Sequence, residues 1–162
     1  MSAIVHHAGA GERYAMGASE VVIKATGEDT GGAFFVAEVV LEARFPGPPP
    51  HFHERLHETL YVFEGELTMT VGETVDVLGP GGFASIPPGV VHTFRNDGDS
   101  PARGLNINAP AGWEHYLREL AGAAQAGGLT PALMAGIASR HDFHRADALM
   151  QRADEPQRLP GL

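Results

Sequence analysis

The sequence predicts an all-β protein, a jelly-roll barrel followed by a C-terminal α-helical extension. Three observations support this fold class: residues 35–45 alternate in polarity, many short strand-like runs separated by turn residues follow, and the pattern then changes to helical spacing. Many short strands at such spacing are typical of antiparallel barrels and jelly rolls. We therefore divide the chain into an N-terminal arm (residues 1–19), a barrel (residues 20–110) and a helical extension (residues 111–162).

Period-two alternation identifies the barrel strands. In residues 35–45 one face is entirely apolar, whereas the other carries Glu38, Glu42 and Arg44, which is typical of a half-buried strand. Gly47 and the three prolines that follow it end this strand, because proline has no N–H to donate to a sheet. Seven further strand-like runs cover residues 51–53, 59–63, 67–71, 75–78, 83–86, 92–95 and 104–108.

The tail is predicted to be helical. Apolar side chains recur at helical spacing in residues 111–126, and the pattern stops at two consecutive glycines. Thr130 is a candidate N-cap followed by a first-turn proline, so we expect a second helix over residues 131–139. Two further predictions for the tail are a weak helix over residues 145–153 and a frayed end over residues 156–162.

The composition excludes several classes of function. The 162 residues suffice for one domain, and the net charge of −9, from 20 acidic and 11 basic residues, argues against a nucleic-acid partner. The chain has no cysteine, so it has neither a disulfide nor a thiolate site. No stretch has the pattern of a signal peptide or of a membrane span. We therefore expect a soluble, cytoplasmic protein.

Two short stretches of the sequence carry four side chains that can bind a metal ion: His51, His53, Glu58 and His92. Residues i and i+2 of a strand face the same side, so His51 and His53 point at one spot. Three neutral imidazoles and one carboxylate leave one or two positions open on a first-row transition metal, where water, dioxygen or a substrate oxygen can bind. The sequence therefore predicts one divalent transition-metal ion (Fe, Ni, Co, Cu, Mn or Zn).

The two stretches that carry these residues resemble the two signature motifs of the cupin superfamily. The first motif runs His-x-His, four residues, Glu, six residues, Gly; the second runs Gly, five residues, Pro-x-Gly, two residues, His, three residues, Asn. Gly65 ends the first motif, whose leading glycine is Gly47, slightly closer to His51 than usual. The remaining matches to the second motif are Gly81, Pro87, Gly89 and Asn96. Residues 27–114 are similar to small single-domain bacterial cupins of the quercetin 2,3-dioxygenase-like type.

This resemblance has implications for fold, site and function. It implies a cupin double-stranded β-helix in which His51, His53, Glu58 and His92 bind one metal ion. It also implies a homodimer and a small-molecule substrate, aromatic or enolisable, that is oxidised by dioxygen. In flavonol dioxygenases the corresponding glutamate takes a proton from the substrate, so Glu58 is the expected catalytic residue.

Two other function classes remain open, because cupins host many reactions on one barrel. The first is a non-redox isomerase, cyclase or lyase that uses the metal as a Lewis acid. The second is a small-ligand binding module without turnover. The donor set alone does not separate the oxidative from the non-redox enzyme, whereas the identity of the metal does.

His57 has two interpretations. It is either an alternative ligand or supporting donor, or a hairpin side chain facing solvent. We favour the second, because Glu58 stands at the motif distance from Gly65. We expect the remaining histidines to be solvated: His6, His7, His115, His141 and His144.

The last predicted strand also allows two orientations. Either Leu105 and Ile107 or Asn106 and Asn108 face inward, and we expect the apolar pair to do so. The asparagine pair would instead give the pocket two amides. Aromatic residues are expected between barrel and helix or in apolar walls: Tyr61, Phe63 and Trp113 in the first group, Phe45, Phe52, Phe83 and Phe94 in the second.

Overall fold

The structure, a computed structural model, describes residues 3–146. The strands are β1 (Glu12–Ala15), β2 (Ser19–Ala25), β3 (Phe35–Leu41), β4 (His51–Phe52), β5 (His57–Glu64), β6 (Leu67–Val71), β7 (Thr74–Leu78), β8 (Phe83–Ile86), β9 (His92–Arg95), β10 (Ala102–Ala109) and β11 (His144–Arg145). The helices are α1 (Gly27–Thr30), α2 (Trp113–Gln125) and α3 (Pro131–Ala138). The all-β fold with C-terminal helices is therefore confirmed.

The strands form two antiparallel sheets. The first sheet has the order β1-β2-β3-β10-β5-β8 and the second has the order β11-β4-β9-β6-β7. Leu41, Leu60 and Val62 of the first sheet pack against Leu67 and Met69 of the second in one buried cluster. The core therefore lies between the facing sheets, as in a jelly roll.

Two motif residues fix the chain around β9 rather than contributing chemistry. Gly47 has φ 82°, and a Cβ atom there would lie 1.9 Å from the carbonyl oxygen of Phe94, so only glycine fits against this strand. The buried Asn96 side chain bonds the main chain around it: its Nδ2 donates to the carbonyl of Ser100 (2.8 Å), and its Oδ1 accepts from the N–H of Gly98 (2.9 Å). Asn96 therefore has a structural role, holding the chain that follows β9.

Helix α2 packs across the first sheet. Leu117 is buried with Val21, Ile23, Phe35 and Ala37 of β2 and β3. The buried carboxylate of Glu114 accepts hydrogen bonds from two backbone N–H groups, of Gly27 at 2.8 Å and of Gly112 at 2.9 Å. Glu114 therefore ties α2 to the start of α1 and closes one side of the barrel. No helix among residues 3–146 is long and apolar enough to cross a membrane.

Helices α2 and α3 form where the sequence pattern predicts them. The side chain of Thr130 accepts a hydrogen bond from the N–H of Leu133 at 3.2 Å, which confirms it as the N-cap of α3. The predicted third helix is wrong at its first residue, because Arg145 belongs to β11, which pairs with β4. Residues 147–153 of that prediction and the predicted frayed end lie outside the described residues.

Three boundaries differ from the sequence prediction. Strand β1 lies in the predicted arm, where it pairs with β2. Residues 27–30, for which no helix was predicted, form α1, because the Thr26 side chain accepts from the N–H of Asp29 and the Asp29 side chain accepts from the N–H of Thr26. Strand β3 ends at Leu41 rather than near residue 45, because Arg44 has φ 61°, which breaks the extended backbone.

Two aromatic side chains expected between barrel and helix, those of Tyr61 and Phe63, lie on the outer face instead. Tyr61 and Phe63 are 40% and 36% exposed on the outer face of β5, and Phe83 on β8 is 60% exposed. Strand alternation explains this outcome, because the even-numbered residues of β5, from Glu58 to Val62, fill the interior. Trp113 does pack between barrel and helix, as predicted.

Candidate metal centre

Three histidines from one sheet meet a glutamate from the other. His51 on β4 is the direct cross-strand partner of His92 on β9, and His53 follows β4 immediately. Glu58, near the start of β5, reaches them from the facing sheet. All four side chains are buried, with 5% exposure or less. The structure thus brings together the four residues of the predicted metal site, His51, His53, Glu58 and His92.

The four side chains converge on one point. Each offers one ligand atom, and these atoms all lie within 4.8 Å of one another. Glu58 Oε2 lies 2.8 Å from Nε2 of His92 and 3.3 Å from Nε2 of His53. A single carboxylate oxygen therefore faces the imidazoles.

The outer nitrogen of each imidazole is held by the main chain. A backbone carbonyl can only accept, so each Nδ1 carries a proton and donates it. The accepting carbonyls belong to Pro49 for His51 (3.0 Å), to Asp142 for His53 and to Val90 for His92 (2.9 Å). Such bonds fix both the tautomer and the ring orientation of a metal-ligating histidine. Each Nε2 is therefore left to act inside the cluster.

This donor set suits a divalent transition-metal ion. With Nδ1 protonated, a neutral imidazole presents a bare lone pair at Nε2. A lone pair 2.8 Å from a carboxylate oxygen is repulsive unless a proton or a metal ion interacts with both atoms. Three imidazole nitrogens and one carboxylate oxygen are the ligand types that zinc, iron, nickel and copper accept in proteins.

Burial and mutual contacts shift the pKa values of these groups in different directions. Burial, reinforced by the neighbouring His92, lowers the pKa of His51 to about 3, so this imidazole stays neutral. Burial opposes charge on His53 as well, but its hydrogen bond to Glu58, the charge of that carboxylate and the hydrogen bond to the Asp142 carbonyl together outweigh burial and raise the pKa of His53. Burial also opposes ionisation of Glu58, yet the hydrogen bonds to His53 and His92 prevail and lower its pKa. Without a metal, the facing carboxylate of Glu58 therefore favours protonation of His53.

We expect metal affinity to fall as the pH is lowered through the raised pKa of His53. The metal must displace the proton from Nε2 of that residue, so binding releases a proton below this pKa and none above it. Calorimetric titrations in two buffers with different ionisation enthalpies, between about pH 5 and 8, count the released protons. Affinity that is independent of pH over this range, with no proton release, would contradict the assignment of His53.

The orientation predicted for the last strand is wrong. Asn106 and Asn108 face inward and are 6% and 0% exposed, while Leu105 and Ile107 lie on the outer side. Strand β10 pairs with β5 so that Asn108 is the direct partner of Glu58, and direct partners share a face of the sheet. The inner face of β10 therefore meets the buried carboxylate, where an amide is favoured over a hydrocarbon.

The two asparagines form a chain of hydrogen bonds that ends on Glu58. Nδ2 of Asn108 donates to Oδ1 of Asn106 at 2.8 Å, and Nδ2 of Asn106 donates to Oε1 of Glu58 at 2.7 Å. Oε1 is thereby occupied, so Oε2 is the oxygen that faces the imidazoles. This orientation of Glu58 is a feature that the motif spacing did not reveal.

The other histidines lie outside the cluster. His57 points to the opposite face of β5 from Glu58, and its Nε2 lies 2.7 Å from the hydroxyl of Ser85, so it is not part of the site. His6, His7 and His115 are exposed, as predicted. The prediction is wrong for His141 and His144, because both are half-buried. His141 packs against Glu119 and Tyr116 of α2, and His144 stacks on Phe52 of β4.

The cluster of His51, His53, Glu58 and His92 opens into a cavity of about 540 Å³. His51, Glu58 and Asn106 line it, together with mostly apolar side chains from the barrel and from α2 and α3. Among the aromatic residues of its wall are Phe45, Phe94, Trp113, Tyr116 and Phe143. Burial raises the pKa of Tyr116 to about 12, so its hydroxyl remains a neutral donor. Phe52 and Phe83, the other candidates for apolar walls, do not line it.

Comparison of the sequence with known proteins finds similarity over the barrel strands. The model of the cupin domain family matches residues 37–108. Over 89 residues, 54% of this chain, the sequence is 36% identical to a quercetin 2,3-dioxygenase of Bacillus subtilis (strain 168). The match spans only 26% of that protein, so the chain corresponds to about a quarter of its length.

Comparison with solved structures supports the same fold. An RmlC-like cupin from Shewanella frigidimarina NCIMB 400 superposes with a TM-score of 0.60 at 18% identity, covering 70% of this chain and 96% of that one. The polyketide cyclase RemF from Streptomyces resistomycificus superposes with a TM-score of 0.57 at 22% identity, covering 67% of this chain and 80% of that one. At these identities the likeness concerns the fold alone.

Proposed function

We propose that the chain is a cupin and a mononuclear metal-dependent dioxygenase, on the premise of the cupin domain match over residues 37–108. In this proposal His51, His53, Glu58 and His92 bind one divalent transition-metal ion. The observation that carries the proposal is the convergence of three imidazoles and one carboxylate, all buried, beside a largely apolar cavity. The similarity to a quercetin 2,3-dioxygenase supports oxygen chemistry over the alternatives.

The cavity favours a small, flat, weakly polar substrate. Its volume of about 540 Å³ is within the range of small-molecule sites, and its aromatic walls suit stacking on a planar ring. Its polar lining residues are Ser19, His51, Glu58, Asn106, Tyr116 and Arg145. In this proposal Tyr116 donates a hydrogen bond to a substrate oxygen. An aromatic or enolisable compound with one acidic hydroxyl group fits these surroundings.

Glu58 is the proposed general base. Because its pKa is lowered, the carboxylate is ionised at neutral pH and is able to accept a proton from the substrate hydroxyl. Asn106 holds Oε1, so the proton goes to Oε2. The surrounding apolar side chains exclude water from the deprotonated substrate. A bound transition metal supplies Lewis acidity and one-electron redox chemistry at this point.

Oxygen consumption tests the dioxygenase proposal directly. We expect the metal-loaded protein to consume dioxygen with at least one member of a panel of flavonols and β-diketones. Metal content is determined on the same sample by elemental analysis, and the His92→Ala variant serves as the control without a complete site. Full metal occupancy without oxygen consumption on any substrate would contradict the dioxygenase proposal.

A non-redox reaction is the second candidate, because the same donor set also suits zinc. Zinc has no accessible redox change, so a zinc-containing native protein favours an isomerase, cyclase or lyase in which the metal acts as a Lewis acid. Iron, nickel, cobalt or copper in the native protein favours the dioxygenase. The elemental analysis described above therefore distinguishes the two candidates.

A further inference from the structure

The segment that follows α3, residues 141–145, reaches back to the metal centre. The carbonyl oxygen of Asp142 accepts the hydrogen bond from Nδ1 of His53. The carboxylate of the same residue accepts three backbone N–H bonds, of 2.7 to 3.0 Å, from Glu54, Arg55 and Leu56. One residue therefore holds both a candidate ligand and the turn that follows it.

This turn connects two candidate ligands. His53 precedes it and Glu58 follows it in β5, so its conformation sets the separation of their side chains. Three hydrogen bonds to one carboxylate fix the backbone of residues 54–56 far more tightly than water would, because bonds to a charged acceptor are stronger than neutral ones. The Asp142 side chain thus acts on the site through the main chain, without entering it.

The rest of the segment also packs on the site. Phe143, 8% exposed, stacks on the imidazole of His51 with a centroid distance of 4.2 Å and an interplanar angle of 13°. Strand β11 pairs with β4, which places Arg145 opposite His51 and His144 opposite Phe52. The segment therefore contacts both His51 and His53.

We propose that Asp142 is a positioning residue of the metal centre, and that metal binding and docking of residues 141–145 strengthen each other. The inference rests on the proposed metal site and adds to it a segment from outside the barrel. Coupling between two binding events is reciprocal: if the docked segment increases metal affinity by some factor, bound metal favours the docked segment by the same factor.

Metal titration of position 142 variants tests the proposal. The apo protein is titrated with Co²⁺, and affinity and the visible absorption spectrum are recorded for wild type, Asp142→Ala, Asp142→Asn and the control Asp76→Ala. Asp76 lies on β7 and is exposed. We expect about a 10- to 100-fold loss of Co²⁺ affinity and an altered spectrum for Asp142→Ala, a smaller loss for Asp142→Asn and no change for Asp76→Ala.

Tryptic cleavage of the wild-type protein provides a test that does not depend on a variant. Arg140 and Arg145 border the segment, so cleavage after them reports undocking. We expect Co²⁺ to slow cleavage at both positions in wild type and to protect them much less in Asp142→Ala. Should the alanine variant fail to fold, the asparagine variant and the wild-type cleavage rates decide the matter.

The outcomes separate this inference from the proposed metal site. If folded Asp142→Ala binds Co²⁺ as tightly as wild type, or if Co²⁺ leaves the wild-type cleavage rates unchanged, the coupling is wrong while the metal site stands. If wild type binds no Co²⁺, the proposed metal site itself is wrong.

Discussion

Replacement of His92 by alanine is expected to abolish stoichiometric metal binding. His92 is 1% exposed, it is the ligand candidate contributed by β9, and its Nε2 lies 2.8 Å from Glu58 Oε2. Its loss removes one of four donors, and the weakening should exceed the roughly 10- to 100-fold that follows changes in residues supporting a ligand. Calorimetric titration of the apo variant with Co²⁺ or Zn²⁺ measures the loss.

His57→Ala is the matched control for this variant. His57 is the neighbour of Glu58 in sequence, but its ring lies on the other face of β5, next to Ser85. We expect this variant to keep one metal per chain with the wild-type affinity. Unchanged metal content in His92→Ala would refute the ligand assignment, and loss of metal in His57→Ala would show that the wrong face of β5 had been chosen.

Replacement of Asn106 by alanine is expected to lower both stability and metal affinity. The change removes the Nδ2 donor from Oε1 of Glu58, a buried charged acceptor, and frees that carboxylate to rotate. Leaving a buried acceptor without its donor costs about 1–3 kcal/mol of unfolding free energy. Metal affinity should fall about 10- to 100-fold. Urea denaturation of the apo protein and metal titration measure the two effects.

Leu105→Ala separates the role of the amide from general damage to β10. Leu105 adjoins Asn106 but lies on the outer side of the sheet, so its truncation affects packing and leaves Glu58 bonded. We expect this variant to lose some stability and to retain wild-type metal affinity. Equal losses of affinity in both variants would mean that Asn106 acts only through the stability of the strand.

Strand parity and motif spacing predicted the ligand cluster because both are local properties. His51 and His53 share a face through a separation of two residues, and the count to Gly65 distinguishes Glu58 from His57. The placement of His92 needed the family resemblance as well, because a turn and several strands separate it from the others. The structure places all four side chains in one cluster.

The inner face of β10 was not predictable from hydrophobicity. Alternation in the sequence offers two faces, and the apolar face was assigned to the interior. The register between β10 and β5 reverses this choice, since it places Asn108 opposite Glu58, 50 residues away in sequence. A buried carboxylate on the neighbouring strand is the physical reason, and the alternating pair of asparagines was the available signal.

The C-terminal segment was beyond sequence reasoning for a different reason. Residues 141–145 are too few to show periodicity, and the contacts of Asp142 join positions 86 to 89 residues apart. The half-buried His141 and His144 belong to this packing, although scattered histidines are usually solvated. Only the folded chain reveals that the tail supports the site.

The central claim is that His51, His53, Glu58 and His92 bind a single metal ion. The metal content of the protein tests this claim most directly. Untagged protein is purified without chelators, and transition metals are quantified by elemental analysis, followed by titration of the apo protein with each of Fe, Ni, Co, Cu, Mn and Zn in the divalent state. The account predicts about one equivalent per chain, lost on replacement of His92. A native protein free of transition metals, whose apo form binds none of the six, would contradict it.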